Sequence, residues 1–389
     1  MPTYNRRGRG RGRVRASRAG FLVVIAGLLL SGFSNPGKAD EISQLYEQVL
    51  KDPTNIELNL DYARLVEERG EAQRALAAYE RIIDIDPGNQ EAQQGLLRVG
   101  RKLQPDFTQA IIELGGGWES NPRRVPVDKR SDWEVLARAA IKDERNIGDY
   151  RWRTVTTLQA EVHRNEGDLT YGYASIETGP LFDLSKNLAV HTAIGGGAAY
   201  FDHRSLYNEG ALSLTFESTP QEAVSHTLRL RSGYRVYNDF FPATQGYFAE
   251  ATLRSVYQNV FVANDVFVFS PWLRSSGIGG TAFSVINPAE EIVPGRYFEY
   301  GGKIEYYRRI ISNLSLGGYV SLNERRFAVL NDFRRNDLLL IPGAAAIIHE
   351  VFGTKADLRF DYRFEHNNSN DPTQAYPNHI LTLLLVARY

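Results

Sequence analysis

A small α-helical domain followed by an all-β transmembrane barrel of about fourteen antiparallel strands is the architecture that this sequence predicts. Three observations lead to it. Helical periodicity fills residues 41–103 and then stops. From Phe107 onward, apolar and polar residues alternate between clusters of Gly, Asn, Asp and Pro, as strands and turns do. The connections between these segments are also of two kinds, long and polar or short.

Residues 1–39 have the organisation of a secretory signal peptide. Residues 6–18 are rich in arginine, 21–33 form a short apolar run, and small residues flank the expected cleavage before Asp40. A helix needs about 20 apolar residues to cross a bilayer, and this run is shorter. We therefore expect residues 1–39 to be removed on export. A short membrane anchor is the alternative.

Composition narrows the function classes. The chain of 389 residues has 45 basic and 46 acidic residues, and the first 39 residues hold eight of the basic residues and no acid. The rest is therefore net acidic, which disfavours nucleic acid as a partner. The absence of cysteine excludes disulfides, thiolate catalysis and cysteine-type zinc sites. The seven histidines lack metal-type spacing, so we expect no catalytic residue, no metal site and no cofactor.

Residues 40–105 are predicted to form a helical domain built on a repeat. Asp52-Pro53-Thr54-Asn55 matches Asp86-Pro87-Gly88-Asn89, and this spacing of about 34 residues is the tetratricopeptide period. Residues 56–87 resemble that repeat, although a plain helical hairpin is the alternative. Because about one and a half repeats are present where three are usual, we expect the domain to dock on the barrel or on a partner.

The first helix of this repeat is expected to line a binding groove with Asn59, Tyr62 and Val66. Asn59 stands where the repeat usually has a bulky aromatic residue, which weakens that end of the groove. The acidic tilt of this groove is expected to favour basic or neutral cargo.

Residues 106–389 are predicted to form the barrel. Segments of ten to twelve residues suit strands that cross a bilayer at a tilt. The candidate strands are 107–117, 133–143, 150–162, 169–178, 187–200, 206–217, 224–236, 246–257, 265–275, 296–308, 313–325, 337–348, 354–366 and 378–389.

The connections favour a membrane barrel over a pair of secreted β-sandwiches, which is the alternative. Connections after strands 1, 7, 9, 11 and 13 are long, and 276–295 is the longest. Those after strands 2, 6, 8, 10 and 12 are short, and those after strands 3, 4 and 5 do not separate cleanly. Long loops on one side and short periplasmic turns on the other are typical of bacterial outer-membrane barrels. An even strand count places the helical domain in the periplasm.

The last residues of the chain have the pattern of a membrane-insertion signal. Residues 379–389 alternate Leu381, Leu383, Leu385 and Ala387 with other residues and finish on Tyr389. This pattern resembles the C-terminal signal that outer-membrane barrels present to their insertion machinery. We therefore expect the insertion machinery and the outer-membrane lipid bilayer to be partners of the chain.

Alternation also predicts which side chains face the barrel interior. Apolar residues such as Leu228, Leu230, Phe360, Tyr362 and Phe364 are expected to face lipid. The charged set is expected either to brace the interior by ion pairs or to line a conduit, and its mixed signs argue against a simple anion-selective pore. This set comprises Arg229, Arg231, Arg235, Glu299, Glu305, Asp357, Arg359, Asp361, Arg363 and Glu365.

Residues 115–122 read Gly-Gly-Gly-Trp-Glu-Ser-Asn-Pro. With the export signal, the repeat segment and the length of the barrel, they resemble the surface lipoprotein assembly modifier (Slam) family over residues 56–389. Trp118, Glu119, Ser120 and Asn121 stand in that family's motif, whereas the helical domain is much shorter. The resemblance implies a barrel that helps to move lipoproteins or secreted proteins to the cell surface. An exopolysaccharide-export porin and a general diffusion porin are the alternatives.

Overall fold

The computed structural model describes residues 36–148, 150–238, 244–279, 282–283, 291–292, 295–329 and 333–389. Most of the predicted signal peptide therefore lies outside the described residues. No helix among the described residues is long and apolar enough to cross a membrane. The helices are α1 (Pro36–Lys51), α2 (Ile56–Glu68), α3 (Ala72–Ile85) and α4 (Gln90–Leu103).

The repeated sequence motif explains where the helices start. Asn55 and Asn89, the last residues of the two matching motifs, are the N-caps of α2 and α4. Their side chains accept hydrogen bonds from the backbone N–H groups of Leu58 and Ala92. After α2 the chain reverses at Gly70, whose φ of 77° lies in the left-handed region that glycine adopts freely. The four helices then enclose one apolar core that includes Tyr79.

The strands close into a single antiparallel barrel in which β1 pairs with β16. Fourteen strands form this barrel, as predicted, and β10 and β11 form a separate two-stranded hairpin. The strands are β1 (Phe107–Glu119), β2 (Asp132–Ile147), β3 (Tyr150–His163), β4 (Tyr171–Ser185), β5 (Leu188–Phe201), β6 (Arg204–Gln221), β7 (Val224–Tyr237), β8 (Gln245–Gln258), β9 (Asp265–Gly277), β10 (Ala282–Phe283), β11 (Glu291–Ile292), β12 (Arg296–Ile311), β13 (Leu314–Phe327), β14 (Asn336–Ile348), β15 (Ala356–Ser369) and β16 (Tyr376–Arg388).

Because consecutive strands of the barrel are antiparallel neighbours, their connections alternate between its two ends. The end that receives the chain from α4 holds the turns after β2, β4 and β6, and we call it the helical end. The opposite end, here the loop end, holds the connections after β1, β3 and β5. Only a two-residue turn follows β5, at Asp202 and His203, whose φ values of 49° and 59° suit a tight hairpin. This short turn on the loop end explains why loop length did not assign the connection after strand 5. The connection expected after strand 4 is mostly part of β4, which continues to Ser185.

The two faces of the barrel differ in polarity. Large apolar side chains such as Leu212, Ile304 and Phe360 are exposed on the outer face, whereas charged residues such as Glu209 and Asp361 are buried on the inner face. An apolar exterior around a polar interior is the arrangement of a barrel that spans a membrane. The prediction of a transmembrane barrel is confirmed. The predicted long connection 276–295 lies mostly outside the described residues.

The helical domain contacts the barrel, which is one of the two docking alternatives expected from the sequence, and docking on a partner stays a prediction. Arg101 in α4 makes a paired salt bridge with Asp183 near the end of β4, and its Nε lies 2.6 Å from Asp183 Oδ2. Arg151 at the start of β3 donates to the backbone oxygen of Pro105 at 2.8 Å. Asn146 near the end of β2 donates to the backbone oxygen of Lys102 at 3.0 Å. The last turn of α4 and the residues after it are thus fastened to the helical end.

Candidate functional site

Three arginines predicted to face the interior gather around two buried glutamates. Arg231 lies between Glu177 and Glu209, with Nε 3.0 Å from Glu177 Oε1 and Nη2 2.7 Å from Glu209 Oε1. Arg229 also pairs with Glu177, and Arg235 lies 2.6 Å from Glu209. The glutamates stand on β4 and β6 and the arginines on β7, so the network spans the part of the barrel wall from β4 to β7. Each carboxylate is therefore neutralised by two guanidinium groups.

A second cluster surrounds Glu299 in β12. Its carboxylate lies 2.9 Å from Arg274 and 2.5 Å from Arg325, and it accepts a hydrogen bond from Trp272 Nε1 at 3.1 Å. Glu299 is buried, and donors on β9 and β13 reach it from both sides. Charge-assisted hydrogen bonds of this kind are stronger than neutral ones, so they hold the three strands in register.

The other predicted interior residues also have partners of opposite charge. These pairs are Glu305 with Lys303 at 2.8 Å, Asp357 with Arg388, Asp361 with Arg359 at 3.0 Å, and Glu365 with Arg363 at 3.4 Å. The arrangement is that of a braced interior. A conduit lined by these residues stays a prediction.

Sequence reasoning missed the acidic partners Glu177 and Glu209 and the basic partners Arg274 and Arg325. Each sits on a strand that alternates less regularly than β15. Their pairing with the predicted interior residues can be seen only when the register is known, because residues that meet across a sheet are far apart along the chain. The inward positions of a predicted strand would have included them.

The motif of the first strand lies at the seam between β1 and β16. Glu119 accepts a hydrogen bond from Asn378 Nδ2 at 2.8 Å, and the backbone N–H of Asn121 donates to Asn378 Oδ1 at 2.8 Å. Ser120 Oγ accepts from the backbone N–H of His379 at 2.8 Å. Trp118 lies directly opposite Trp133 in the register of β1 and β2. Three of the four motif residues thus fasten the first strand to the last.

The helical domain carries a cleft of about 320 Å³ between α1, α2 and α3. Tyr46 and Tyr62 form one wall, with ring centroids 5.2 Å apart. Arg74 and Arg81 form another part of the wall. Burial raises the pKa of the Tyr62 phenol, so it stays neutral and can donate a hydrogen bond.

Two of the three residues expected to line this groove are placed elsewhere. Asn59 and Val66 are fully buried. Val66 packs in the apolar core of the helical domain. Asn59 binds the backbone oxygens of Pro53 and Asn55 and accepts a hydrogen bond from Arg81 at 3.3 Å. The correction follows from helix geometry, because this face of α2 turns toward α3, and only Tyr62 reaches the cleft.

An ion pair between helices stabilises the repeat. Arg98 in α4 binds Glu67 in α2 with Nε at 2.5 Å, and the Tyr79 hydroxyl donates to Glu67 at 2.8 Å. Burial alone would raise the pKa of the Glu67 carboxyl, but the hydrogen bonds from Arg98 and Tyr79 outweigh burial and lower it. Glu67 is therefore ionised at neutral pH and joins α2, α3 and α4.

Together, these features define a transmembrane β-barrel with a helical-repeat domain fastened to one end. The tetratricopeptide repeat family model matches residues 36–99, within the predicted helical region and α1. No curated protein matches the chain.

The chain is also similar to solved outer-membrane channels at low identity. The outer membrane channel DcaP of Acinetobacter baumannii is 8% identical over 73% of this chain and 97% of that one, with a TM-score of 0.44. OprD of Pseudomonas aeruginosa is 8% identical over 74% of this chain and 97% of that one, with a TM-score of 0.35. These TM-scores are too low to support an argument about the fold. The fold is established by the strand pairing of this chain.

Proposed function

We propose that this protein is an outer-membrane barrel that moves or helps to assemble a cargo protein, either a surface lipoprotein or a secreted protein, at the cell surface. The helical domain acts as the receptor in the periplasm. The observation that carries the proposal is the attachment of a domain with an open cleft to the helical end through Arg101, Arg151 and Asn146. Cargo bound in the cleft is thereby held beside the barrel.

The cleft suits a peptide segment with acidic groups. Arg74 and Arg81 belong to its wall, and none of the described residues that line it is acidic. Glu71 pairs with Arg74 at 2.6 Å beside the cleft, so Arg81 carries most of the positive charge that a peptide would meet. Tyr46 and Tyr62 offer large, stiff surfaces that contact a peptide at low entropic cost. This proposal differs from the expectation of basic or neutral cargo, because the cleft lies beside Arg74 and Arg81 and not along the groove expected from the sequence.

One alternative function has a specific observation in its favour. Aromatic side chains among the interior charges favour exopolysaccharide export, because sugars stack on rings. Tyr207 lies under Arg235 at 4.3 Å and Tyr319 under Lys303 at 4.1 Å, measured to the ring centroids. A general diffusion porin ranks third, since it leaves the helical domain without a role.

The first prediction tests the receptor role. Deletion of residues 41–103 with the barrel retained should abolish surface display of the cargo, and Arg74→Glu combined with Arg81→Glu should reduce it severalfold. Both would be measured by labelling surface proteins on intact cells. Lys51→Glu, an exposed charge reversal at the end of α1, is the matched control and should leave display unchanged.

The outcomes separate the three functions. If the deletion strain loses surface polysaccharide but keeps normal surface proteins, the cargo is a polysaccharide and not a protein. If surface proteins and polysaccharide both stay at wild-type levels in the deletion strain, while small-solute uptake falls in a strain without the whole protein, the chain is a porin and the proposal fails.

A further inference from the structure

The loop end holds a cluster of one histidine and two glutamates that none of the ion-pair networks includes. Glu134 stands near the start of β2, and His163 is directly opposite it at the end of β3. Glu161 lies two residues before His163, so its side chain points to the same face of the sheet. One ligand atom of each residue falls within 4.8 Å of the others.

Two of these side chains are buried with an unused polar atom. Glu134 and His163 are 5% and 6% exposed, and neither Glu134 Oε2 nor His163 Nδ1 has a hydrogen-bond partner among the described residues. Burying an unpaired carboxylate oxygen is unfavourable. Within the described part of the chain, the only salt-bridge partner of Glu134 and of Glu161 is His163. Two carboxyl groups therefore converge, and among the described residues neither has an arginine or lysine within salt-bridge distance.

From this arrangement we infer that Glu134, Glu161 and His163 bind a divalent transition-metal ion of the zinc type. His163 Nε2 lies 3.1 Å from Glu161 Oε1 and 4.0 Å from Glu134 Oε2. Two ligand atoms at about 2.1 Å from a tetrahedral zinc ion are roughly 3.4 Å apart, and the observed separations bracket this value. Imidazole nitrogen and carboxylate oxygen are both ligands that zinc accepts.

The surroundings support the ligands. Asp132 is held by the backbone N–H groups of Asn165 and Glu166, at 2.9 and 2.8 Å, and its Oδ2 faces His163 Nδ1 at 3.9 Å. A carboxylate behind the second nitrogen is common for metal-bound histidines. Gly117 on β1 leaves room for the ligand, because a Cβ there would lie 2.5 Å from Glu134 Oε1.

This inference departs from the expectation that the chain has no metal site. That expectation considered spacing along the sequence, and Glu134 and His163 are brought together only by the register of β2 and β3. The site is independent of the cargo proposal. The bound ion would tie these two strands together at the loop end.

Metal titration of the full chain tests the inference. Protein purified in detergent without a histidine tag is stripped with a chelator and titrated with Co²⁺, followed by Zn²⁺. We expect one Co²⁺ per chain, with the visible absorption of a low-coordinate site, and displacement by Zn²⁺. Glu134→Gln and His163→Ala should weaken binding by more than about 100-fold, since loss of outer-shell groups alone costs 10- to 100-fold.

Controls keep the outcome decisive. His349→Ala removes a histidine that faces a carboxylate at the helical end, 3.4 Å from Asp357, and should leave binding unchanged. If Glu134→Gln does not fold, as judged by heat-modifiable gel mobility, Glu161→Gln replaces it, because Glu161 is less buried than Glu134. Absence of Co²⁺ binding by the wild-type chain would overturn the inference, as would wild-type affinity in both Glu161→Gln and His163→Ala. In either case Glu134 and Glu161 would instead share a proton.

Discussion

Asn378 bonds to several atoms at once at the barrel seam. Its amide donates to Glu119, and its carbonyl oxygen accepts from Asn121 N–H at 2.8 Å and Ser120 Oγ at 3.2 Å. The side chain is fully buried, so water cannot replace these bonds. The residues that resemble a family motif therefore have a local structural role, whatever cargo the barrel handles.

Removing the Asn378 amide should loosen the seam. Asn378→Ala leaves Glu119 and Asn121 with unsatisfied buried groups, at a cost of about 1–3 kcal/mol each in the free energy of unfolding. We expect a lower midpoint temperature for the loss of heat-modifiable gel mobility. Asn187→Ala in an exposed turn is the matched control. Equal midpoints for the two variants would contradict the role of the seam.

Glu67 makes the helical domain sensitive to acid. Its folded-state pKa is lowered below the ordinary value of 4.5, so the stability it contributes is complete above that value and is lost as pH falls through the folded pKa. Circular dichroism of the full chain during heating should show the helical signal melting earlier below pH 4.5 than at neutral pH. In Glu67→Gln this pH dependence should shrink, and an unchanged dependence would assign it to other groups.

Groove residues were predictable only in part. Tyr62 was expected to line the cleft, and the structure places it there. Asn59 and Val66 belong to the same repeat helix, but the angle between α2 and α3 decides which side of that helix is covered. The helical period of the sequence predicts which face of α2 is apolar, whereas the packing of α3 against α2 determines which residues stay accessible in the cleft.

At the scale of elements, the alternation of residues predicted all fourteen barrel strands, and most ends are displaced by a few residues. The largest difference is in β4, which was expected to end at residue 178 and ends at Ser185. β6 and β12 run longer than expected, because polar residues near their ends still continue the ladder. The attachment of α4 was not predictable, since Arg101 and Asp183 meet only after β4 has taken its place in the barrel. Charged residues on solvent-facing positions give no signal of a distant partner.

The Arg101–Asp183 salt bridge should hold the helical domain against the barrel. Arg101→Ala and Asp183→Ala should each speed proteolysis between α4 and β1, and the double variant should be little faster than either, with a coupling of roughly 1 kcal/mol. Limited proteolysis in detergent measures this. Arg145→Ala, which removes an exposed arginine near the same end, is the control. Fully additive effects would show that the two residues act separately.

For the whole molecule, the polar and apolar faces of the barrel are exchanged relative to a water-soluble barrel. Apolar side chains cover the outer face, while salt bridges fill much of the inner face. Alternation along β15 predicted this from the sequence, because a strand with charge on every second residue has only one face that lipid accepts. Loop length could not assign the turn at Asp202, which is short on the end where most connections are long.

A substitution at Phe360 tests whether the apolar face of β15 is the face that contacts lipid. Phe360→Arg should cost about 2–4 kcal/mol if the site lies near the middle of the bilayer and less near an interface. We expect reduced membrane insertion and weaker heat-modifiable mobility, measured on outer-membrane fractions. Phe360→Leu keeps an apolar side chain and should behave as the wild type. Normal insertion of the arginine variant would reverse the assignment of the two faces.

The seam also fixes the timing of assembly. β1 and β16 are hydrogen-bonded neighbours, yet hundreds of residues separate them in the order of synthesis. Until Tyr376–Arg388 has emerged, β1 presents an unpaired edge, and such edges recruit other strands and promote aggregation. Closure of the barrel therefore has to wait until the last of its strands has been made. Its final thirteen-residue strand is the part that ends this vulnerable period.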